Sequence, residues 1–228
     1  MNTAVMLQAR LASKRLPDKA LLRLCGIPVV EHCMRALKHV HASEFLLLTD
    51  SNSADRLRPI ADSCGFSVFV GSDDDVLDRY MAAVDACGAD TVVRATGDNP
   101  LVSAGLANRL LATHDEAGAD YSGFLGMPLG TGVECIRAGA LRIAHREATE
   151  RYDREHVAPY LYANPARFRI HRPQVPADLA CSTPVTLDTA DDYRYISRIF
   201  DELWHGTPIE IHDLVVRLRK PDLIRKSA

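Results

Sequence analysis

The sequence predicts a single α/β domain built on a mostly parallel sheet with helices on both faces. Three observations predict it. Short apolar runs return about every 20 to 25 residues. The segments between them carry apolar residues at helical spacing. The runs themselves are unbroken rather than alternating, which marks strands buried on both faces.

The first run, residues 4–7 (Ala-Val-Met-Leu), is a strand followed by a basic loop. Pro28 fits the first turn of the next helix, 28–40, whose Val29, Val30, Cys33, Met34 and Leu37 form one apolar face. Residues 44–50 are a second strand, and 53–64 a helix with Leu57, Ile60 and Ala61 on one side. A third strand, 66–70, ends at Gly71. Asp73, Asp74 and Asp75 then open a helix over 76–87, where acidic residues complement the helix dipole. The fourth strand is 91–96. Crossovers in such a sheet are right-handed.

After residue 100 the rhythm loosens. A helix is expected over 103–118, a short strand over 119–122, a Gly- and Pro-rich loop over 123–132 and a brief strand over 133–136. Helices follow over 138–149 and 155–164. Residues 167–171 alternate and suit an antiparallel strand, Pro173 and Pro176 mark a loop, and 184–188 returns to a strand. Thr189 and Asp192 have capping-box spacing, and the helix they start runs to about residue 204. The tail, 205–228, is basic at its end and is expected to pack loosely.

Composition narrows the function. The 228 residues are 47% apolar, enough for a substantial core, and the net charge of −3 supplies no general field for nucleic acid. No apolar run reaches the roughly 20 residues that span a bilayer, and the first residues lack a secretory signal, so a cytoplasmic location without membrane contact is expected. The six cysteines show neither paired nor metal-type spacing and are expected to be buried, reduced thiols.

Against this acidic background the loop after the first strand gathers Arg10, Lys14, Arg15 and Lys19 within ten residues. Open α/β sheets bind ligands at the carboxyl ends of their strands. A cationic loop there suits a polyanion such as a triphosphate. Asp98 follows the fourth strand and Asp188 closes the run 185–187, so both can face the same crevice. Two carboxylates plus substrate phosphates match the oxygen-ligand demands of Mg²⁺. Taken singly, each Asp also suits a turn or a helix cap. Glu134 lies between apolar residues and would be costly if buried unpaired.

These residues fall into blocks that resemble the cytidylyltransferases. The opening Gln8-Ala9-Arg10-x-x-Ser13-x-Arg15-Leu16-Pro17-x-Lys19, followed by Gly26-x-Pro28, is similar to CMP-Kdo synthetases and acylneuraminate cytidylyltransferases. Four further blocks resemble the spore-coat polysaccharide biosynthesis protein F-type enzymes. They are Asp74-Asp75-Val76-Leu77-Asp78-Arg79-Tyr80, Arg94-x-Thr96-Gly97-Asp98-x-Pro100-Leu101, Arg154-Glu155-His156-Val157-x-Pro159-Tyr160 and Leu187-Asp188-x-x-Asp191-Asp192. The resemblance reaches to about Leu203.

It implies a Rossmann-like, glycosyltransferase-A-like nucleotidyltransferase domain. Residues 1–122 would form the nucleotide-binding half, and 123–228 a mixed α+β half that binds acceptor, completes the metal site and dimerises. Arg10, Ser13, Arg15 and Lys19 would hold the CTP phosphates. Leu7, Ala9, Arg79, Arg94, Thr96 and Gly97 would line the nucleotide. Asp98 and Asp188 would ligate Mg²⁺, with Arg10, Arg15, Lys19 and Asp98 as the catalytic set. Glu134 and His156 would lie on the acceptor side. The implied reaction moves CMP from CTP to a sugar acid or related polysaccharide precursor with loss of pyrophosphate, in a homodimer joined through residues 139–175. A phosphonate or polyol phosphate acceptor, or a non-catalytic nucleotide-binding module, are the alternatives. Gly97-Asp98-Asn99 is not the Asp-x-Asp pair a glycosyltransferase would want, and no Gly-rich stretch precedes the cations as in enzymes using other nucleotides.

Overall fold

The computed structural model describes residues 2–220. Its main sheet has seven strands. In chain order these are β1 (Thr3–Gln8), β4 (Glu44–Thr49), β5 (Ser67–Val70), β6 (Thr91–Thr96), β7 (Tyr121–Gly123), β8 (Glu134–Arg137) and β9 (Ile170–His171). Two short strands, β2 (Arg23–Leu24) and β3 (Ile27–Pro28), form a separate hairpin. The hairpin turn was not foreseen. Cys25 and Gly26 both take positive φ, 47° and 83°, which suits a two-residue hairpin.

The spatial order is β5-β4-β1-β6-β8-β7-β9. β5, β4, β1 and β6 are parallel, and β8 alone runs against its neighbours. The chain therefore builds outward from β1 through β4 to β5, then returns to place β6 on the other side of β1. That reversal opens a crevice at the carboxyl ends of β1 and β6, the point where such sheets take ligands.

The helices cover both faces as the periodicities require. α1 (Val29–Leu37), α2 (Ser51–Ser63) and α4 (Ala104–Glu116) bury Met34, Leu37, Leu57 and Leu110 against one face with Val5, Leu7 and Val93. α3 (Val76–Cys87), α5 (Ala138–Glu147), α6 (Arg151–His156) and α7 (Pro159–Tyr162) cover the other, packing Leu77, Tyr80, Leu141 and Leu161 on Met6, Val92 and Ile136. Asp50, Asp75 and Ser103 cap α2, α3 and α4 through their side chains. A third cluster joins α8 (Ala190–Leu203) and α9 (Ile211–Leu218) to Leu101, Leu106, Val185 and Leu187.

Several expectations need correction. Residues 170–171 pair parallel to β7, not antiparallel, because alternation marks a strand without fixing its direction. Residues 184–188 join no ladder; Val185 and Leu187 are buried in the third cluster, so apolar spacing there reflects core contact. The helix expected over 155–164 is broken into α6 and α7, and His156 ends a helix instead of starting one. The break sits at Val157 (φ 73°, ψ −57°), where the Ala158 N–H reaches back to the His156 carbonyl at 2.9 Å. That is a γ-turn of the rare, strained type. Pro159, lacking an N–H, begins the next helix.

The tail does not pack loosely throughout, since α9 buries Ile211, Leu214, Val215 and Leu218. Its basic end, 221–228, lies outside the described residues. All six cysteines are free thiols, but only Cys33 and Cys135 are buried; Cys25 is exposed.

Candidate functional site

The crevice at the β1–β6 switch point is built by four segments. The first is the loop after β1. Its backbone is tied down by Leu11 N–H donating to Ser53 Oγ at 2.9 Å and Asp18 N–H to the Leu11 carbonyl. Asp18 takes a left-handed conformation (φ 54°) and pairs with Arg56 at 3.0 and 3.1 Å. This anchors the short 3₁₀ turn Lys19–Leu21 and aims Lys19 inward.

The second is the loop after β6. Gly97 crosses against the β1 end with its N–H on the Gln8 carbonyl at 2.8 Å. A Cβ there would lie 2.7 Å from that of Ala9, so only glycine permits the approach. Asn99 Nδ2 bonds Thr96 Oγ1 at 2.7 Å and steadies the turn that carries Asp98.

The third is the start of α8. Asp192 accepts from the backbone N–H groups of both Asp188 and Thr189, at 3.0 and 2.9 Å, while Thr189 Oγ1 accepts from Asp192 N–H at 3.2 Å. The expected capping box is present and has a second use: it orients the residue that carries the distal carboxylate.

These segments converge on Lys19. Its ammonium donates to Asp98 Oδ2 at 2.6 Å, Asp188 Oδ1 at 2.9 Å and the Leu187 carbonyl at 3.0 Å. Arg15 reaches the same Asp188 oxygen at 3.0 Å. Residues 79 and 169 positions away in sequence from Lys19 thus meet at one point. Burial alone would lower the Lys19 pKa; Asp98, then Asp188, outweigh it and hold the ammonium above its ordinary value. A Lys side chain bridging two carboxylates marks a spot that accepts positive charge. No group of three or more His, Cys, Asp or Glu that could hold a metal is gathered among the described residues; at this point the protein offers the Asp98–Asp188 pair. It suits a hard cation that completes its shell with phosphates and water.

The fourth segment is α6, which approaches from the second half. Arg154 fixes it to α3 through the Asp75 carboxylate at 2.7 Å and to α5 through the His145 carbonyl at 2.7 Å. Glu155 then lies 3.6 Å from Arg10 of the basic loop. His156 is exposed at the end of α6, its ring 4.4 Å from that of Tyr152.

Beside this crevice the β6–β8 register sets Arg94 opposite Glu134. The two form an ion pair, Arg94 also donates to Gln8 Oε1 at 3.3 Å, and Tyr121 donates to Glu134 Oε1 at 2.7 Å. The Glu134 carboxylate is thereby satisfied. Burial, then Glu134, pushes the Tyr121 phenol well up, so it stays a proton donor. Burial lowers the Arg94 pKa, but Glu134 more than restores it.

Not every expected residue comes to the centre. Lys19, Arg15, Asp98 and Asp188 are joined directly; Arg10 lines the rim. Ser13 Oγ accepts from Leu16 N–H at 3.4 Å within the loop. The backbone of Leu7 and Ala9 is consumed by the sheet, with Ala9 N–H on the Leu48 carbonyl at 3.0 Å. Arg79 is 2% exposed and gives its guanidinium to the carbonyls of Ser72 and Asp73, which makes it a strut for the β5–α3 loop. Sequence reasoning missed Gln8, Tyr121 and Arg154 as partners. For Arg154 and Asp75 the signal was available, because both stand in the quoted blocks. A cavity of about 690 Å³ lined by Asp120, Arg137, Phe168 and Arg169 lies at the opposite end of the sheet, where Arg137 pairs with Thr91 at the start of β6. It is remote from the joined charges.

Comparison with known proteins identifies the family and the fold. The family model described as cytidylyltransferase matches residues 4–203. Spore coat polysaccharide biosynthesis protein SpsF of Bacillus subtilis is 31% identical over 226 residues, covering 95% of this chain and 94% of that protein. The structure of a cytidylyltransferase from Leptospira borgpetersenii superposes with a TM-score of 0.91 at 25% identity, covering 100% and 98% of the two chains. That of CMP:2-keto-3-deoxy-manno-octonic acid synthetase complexed with CTP gives 0.72 at 16% identity over 89% and 99%, a likeness of fold. The chain is a CTP-dependent nucleotidyltransferase and belongs to the cytidylyltransferase family.

Proposed function

We propose that the chain transfers CMP from CTP to a sugar acid, with a divalent cation, Mg²⁺, held by Asp98 and Asp188. The observation that carries this reading is Lys19 bonded to both carboxylates at once. An acceptor oxygen attacks the α-phosphorus, a new P–O bond forms, and the α–β bridging bond breaks with its electrons leaving on pyrophosphate. The metal, when bound, supplies Lewis-acid charge on phosphate oxygens. Arg15 and Lys19 grip the β- and γ-phosphates, Arg as a planar fork and Lys as a point charge. Arg10 and Ser13 hold the rim of the triphosphate, with Ala9, Thr96 and Gly97 beneath the nucleoside. Arg79 acts on the nucleotide pocket through the loop it braces.

The acceptor is assigned to the side of the crevice bounded by Glu134 and His156. There the Tyr121 hydroxyl, donating to Glu134, leaves its own oxygen and the remaining carboxylate lone pairs as acceptors for sugar hydroxyls, and exposed Arg172 stands over the Tyr162 ring at 5.7 Å. A cation with no ion-paired carboxylate among the described residues, beside groups that accept from hydroxyls, favours a sugar acid over a neutral sugar. Activity in polysaccharide biosynthesis, a cytoplasmic setting and a homodimer joined through residues 139–175 complete the reading. No helix among the described residues is long and apolar enough to cross a membrane.

Pyrophosphate release with CTP, Mg²⁺ and a panel of 2-keto sugar acids tests it. Turnover with at least one sugar acid is expected. Turnover confined to phosphonates or polyol phosphates would replace the acceptor class and leave the nucleotide chemistry standing.

A further inference from the structure

The same contacts carry a consequence for how the ligands arrive. An ammonium has three donors. In Lys19 they go to Asp98 Oδ2, Asp188 Oδ1 and the Leu187 carbonyl, so the protein itself consumes all three. Arg15 adds a second cation on Asp188 Oδ1. Two carboxylates and two cations therefore neutralise one another in the free protein. The Lys19 side chain is 14% exposed, whereas Arg15 is 68% exposed. Lys19 is the inner bolt and Arg15 the outer one.

A divalent cation approaching Asp98 and Asp188 alone would meet an ammonium within hydrogen-bond distance of both ligands. Like charges a few ångströms apart repel strongly at a half-buried site. A triphosphate approaching alone would find Lys19 fully engaged and two carboxylates beside its landing place. When both arrive together each charge finds a new partner: carboxylates turn to metal and cations to phosphate. The anchored segment, Asp18 held by Arg56, lets this exchange run through side-chain rotation while the loop stays in place.

We propose that Lys19, with Arg15, is a built-in counter-ion that blocks the Asp98–Asp188 pair, so that the divalent cation is admitted only together with a nucleoside triphosphate. This rests on the assignment of Asp98 and Asp188 as the metal ligands. The free protein is then protected from loading with metal alone, and metal and nucleotide bind with strong mutual enhancement.

Titration with Mn²⁺, followed by the spin-resonance signal of the free ion, tests this on the full chain without turnover. Wild-type protein should bind Mn²⁺ at least tenfold more weakly than Lys19→Met, which keeps the stem and removes the charge. A non-reactive CTP analogue should tighten Mn²⁺ binding in wild type by at least tenfold and in Lys19→Met by much less. Arg15→Gln, at an exposed position, should shift affinity in the same direction by a smaller factor, and decides the matter if Lys19→Met fails to fold. Equal Mn²⁺ affinity in wild type and both variants, with Asp98→Asn and Asp188→Asn each abolishing it, overturns the counter-ion and keeps the metal site. Mn²⁺ binding that survives both Asp substitutions in the Lys19→Met background overturns the metal site, and the counter-ion with it.

Discussion

Single side chains at this site do more than one job, and substitution should separate the jobs. Asp98 is a third exposed and accepts its hydrogen bond at Oδ2. Asp98→Asn keeps the size and loses the charge, so the fold should hold while turnover falls by about 100-fold or more, the cost typical of removing one group that stabilises transition-state charge. Melting temperature and pyrophosphate release on the same sample would check this; wild-type turnover would refute it. Glu134 is the opposite case. Arg94 is paired with it in a setting where the Arg94 Nε already lacks a hydrogen-bond partner. Glu134→Ala would strand a buried guanidinium, which costs about 3 kcal/mol and, for a chain of this size, should lower the melting temperature by roughly 6 to 12 °C. Glu134→Gln keeps acceptors for Arg94 and Tyr121 and should lose less than half of that. The charged cluster was legible in the sequence because the cations follow β1 and Asp98 follows β6, whereas Asp188 was placed correctly by way of a strand that does not form. The Arg94–Glu134 pairing was not, because an ion pair between strands depends on a register that neither strand's own residues reveal.

At the scale of elements, local signals worked where a segment's apolar face is continuous. Residues 76–87 and 91–96 have the boundaries the periodicity and the buried run assign them. They failed where burial is supplied by loops: Val185 and Leu187 look like a strand, yet Val185 bonds the Leu129 carbonyl at 2.7 Å outside any ladder. The break at Val157 was also invisible, because a buried β-branched residue at positive φ contradicts local preference and persists only where tertiary packing imposes it. The α8 cap lets an element end be tested for a part in the proposed chemistry. Thr189→Ala removes one half of the capping box and should cost about 1 kcal/mol by urea denaturation. Because Asp192 also holds the Asp188 N–H, loss of the cap should loosen the carboxylate as well. The expected result is a several-fold fall in kcat at a temperature where the protein remains fully folded. A stability loss with unchanged kcat would show that the cap serves the helix alone.

For the whole molecule, the sheet order dictates the site, since the reversal at β1 brings the basic loop and the β6 loop to one crevice. The chain also carries a pH response away from that crevice. His32 on α1 and His114 on α4 are 2% and 0% exposed. His32 Nε2 donates to the Leu24 carbonyl at 2.9 Å, and His114 Nδ1 meets Ser122 Oγ at 2.8 Å. The other nitrogen of each ring, Nδ1 of His32 and Nε2 of His114, is buried without a partner. Burial is the main reason that both rings titrate below the ordinary histidine range. The folded state therefore holds fewer protons than the unfolded state once pH falls below about 6.5, where unfolded histidine takes up its proton. Stability is complete above that value and declines as pH falls toward the lowered folded pKa, by at most about 1.4 kcal/mol per pH unit for each ring. Glu147 and Glu202, held below the usual carboxylate range chiefly by Arg167 and Arg217, lose their share only at more acid pH. Between pH 6.5 and 5 the two histidines should dominate. Urea midpoints should drop across that interval, and His114→Asn should flatten the drop by up to one proton's worth of slope. Midpoints that stay level from pH 6.5 to 5 would mean that the rings accept protons in the folded core, against the geometry that surrounds them.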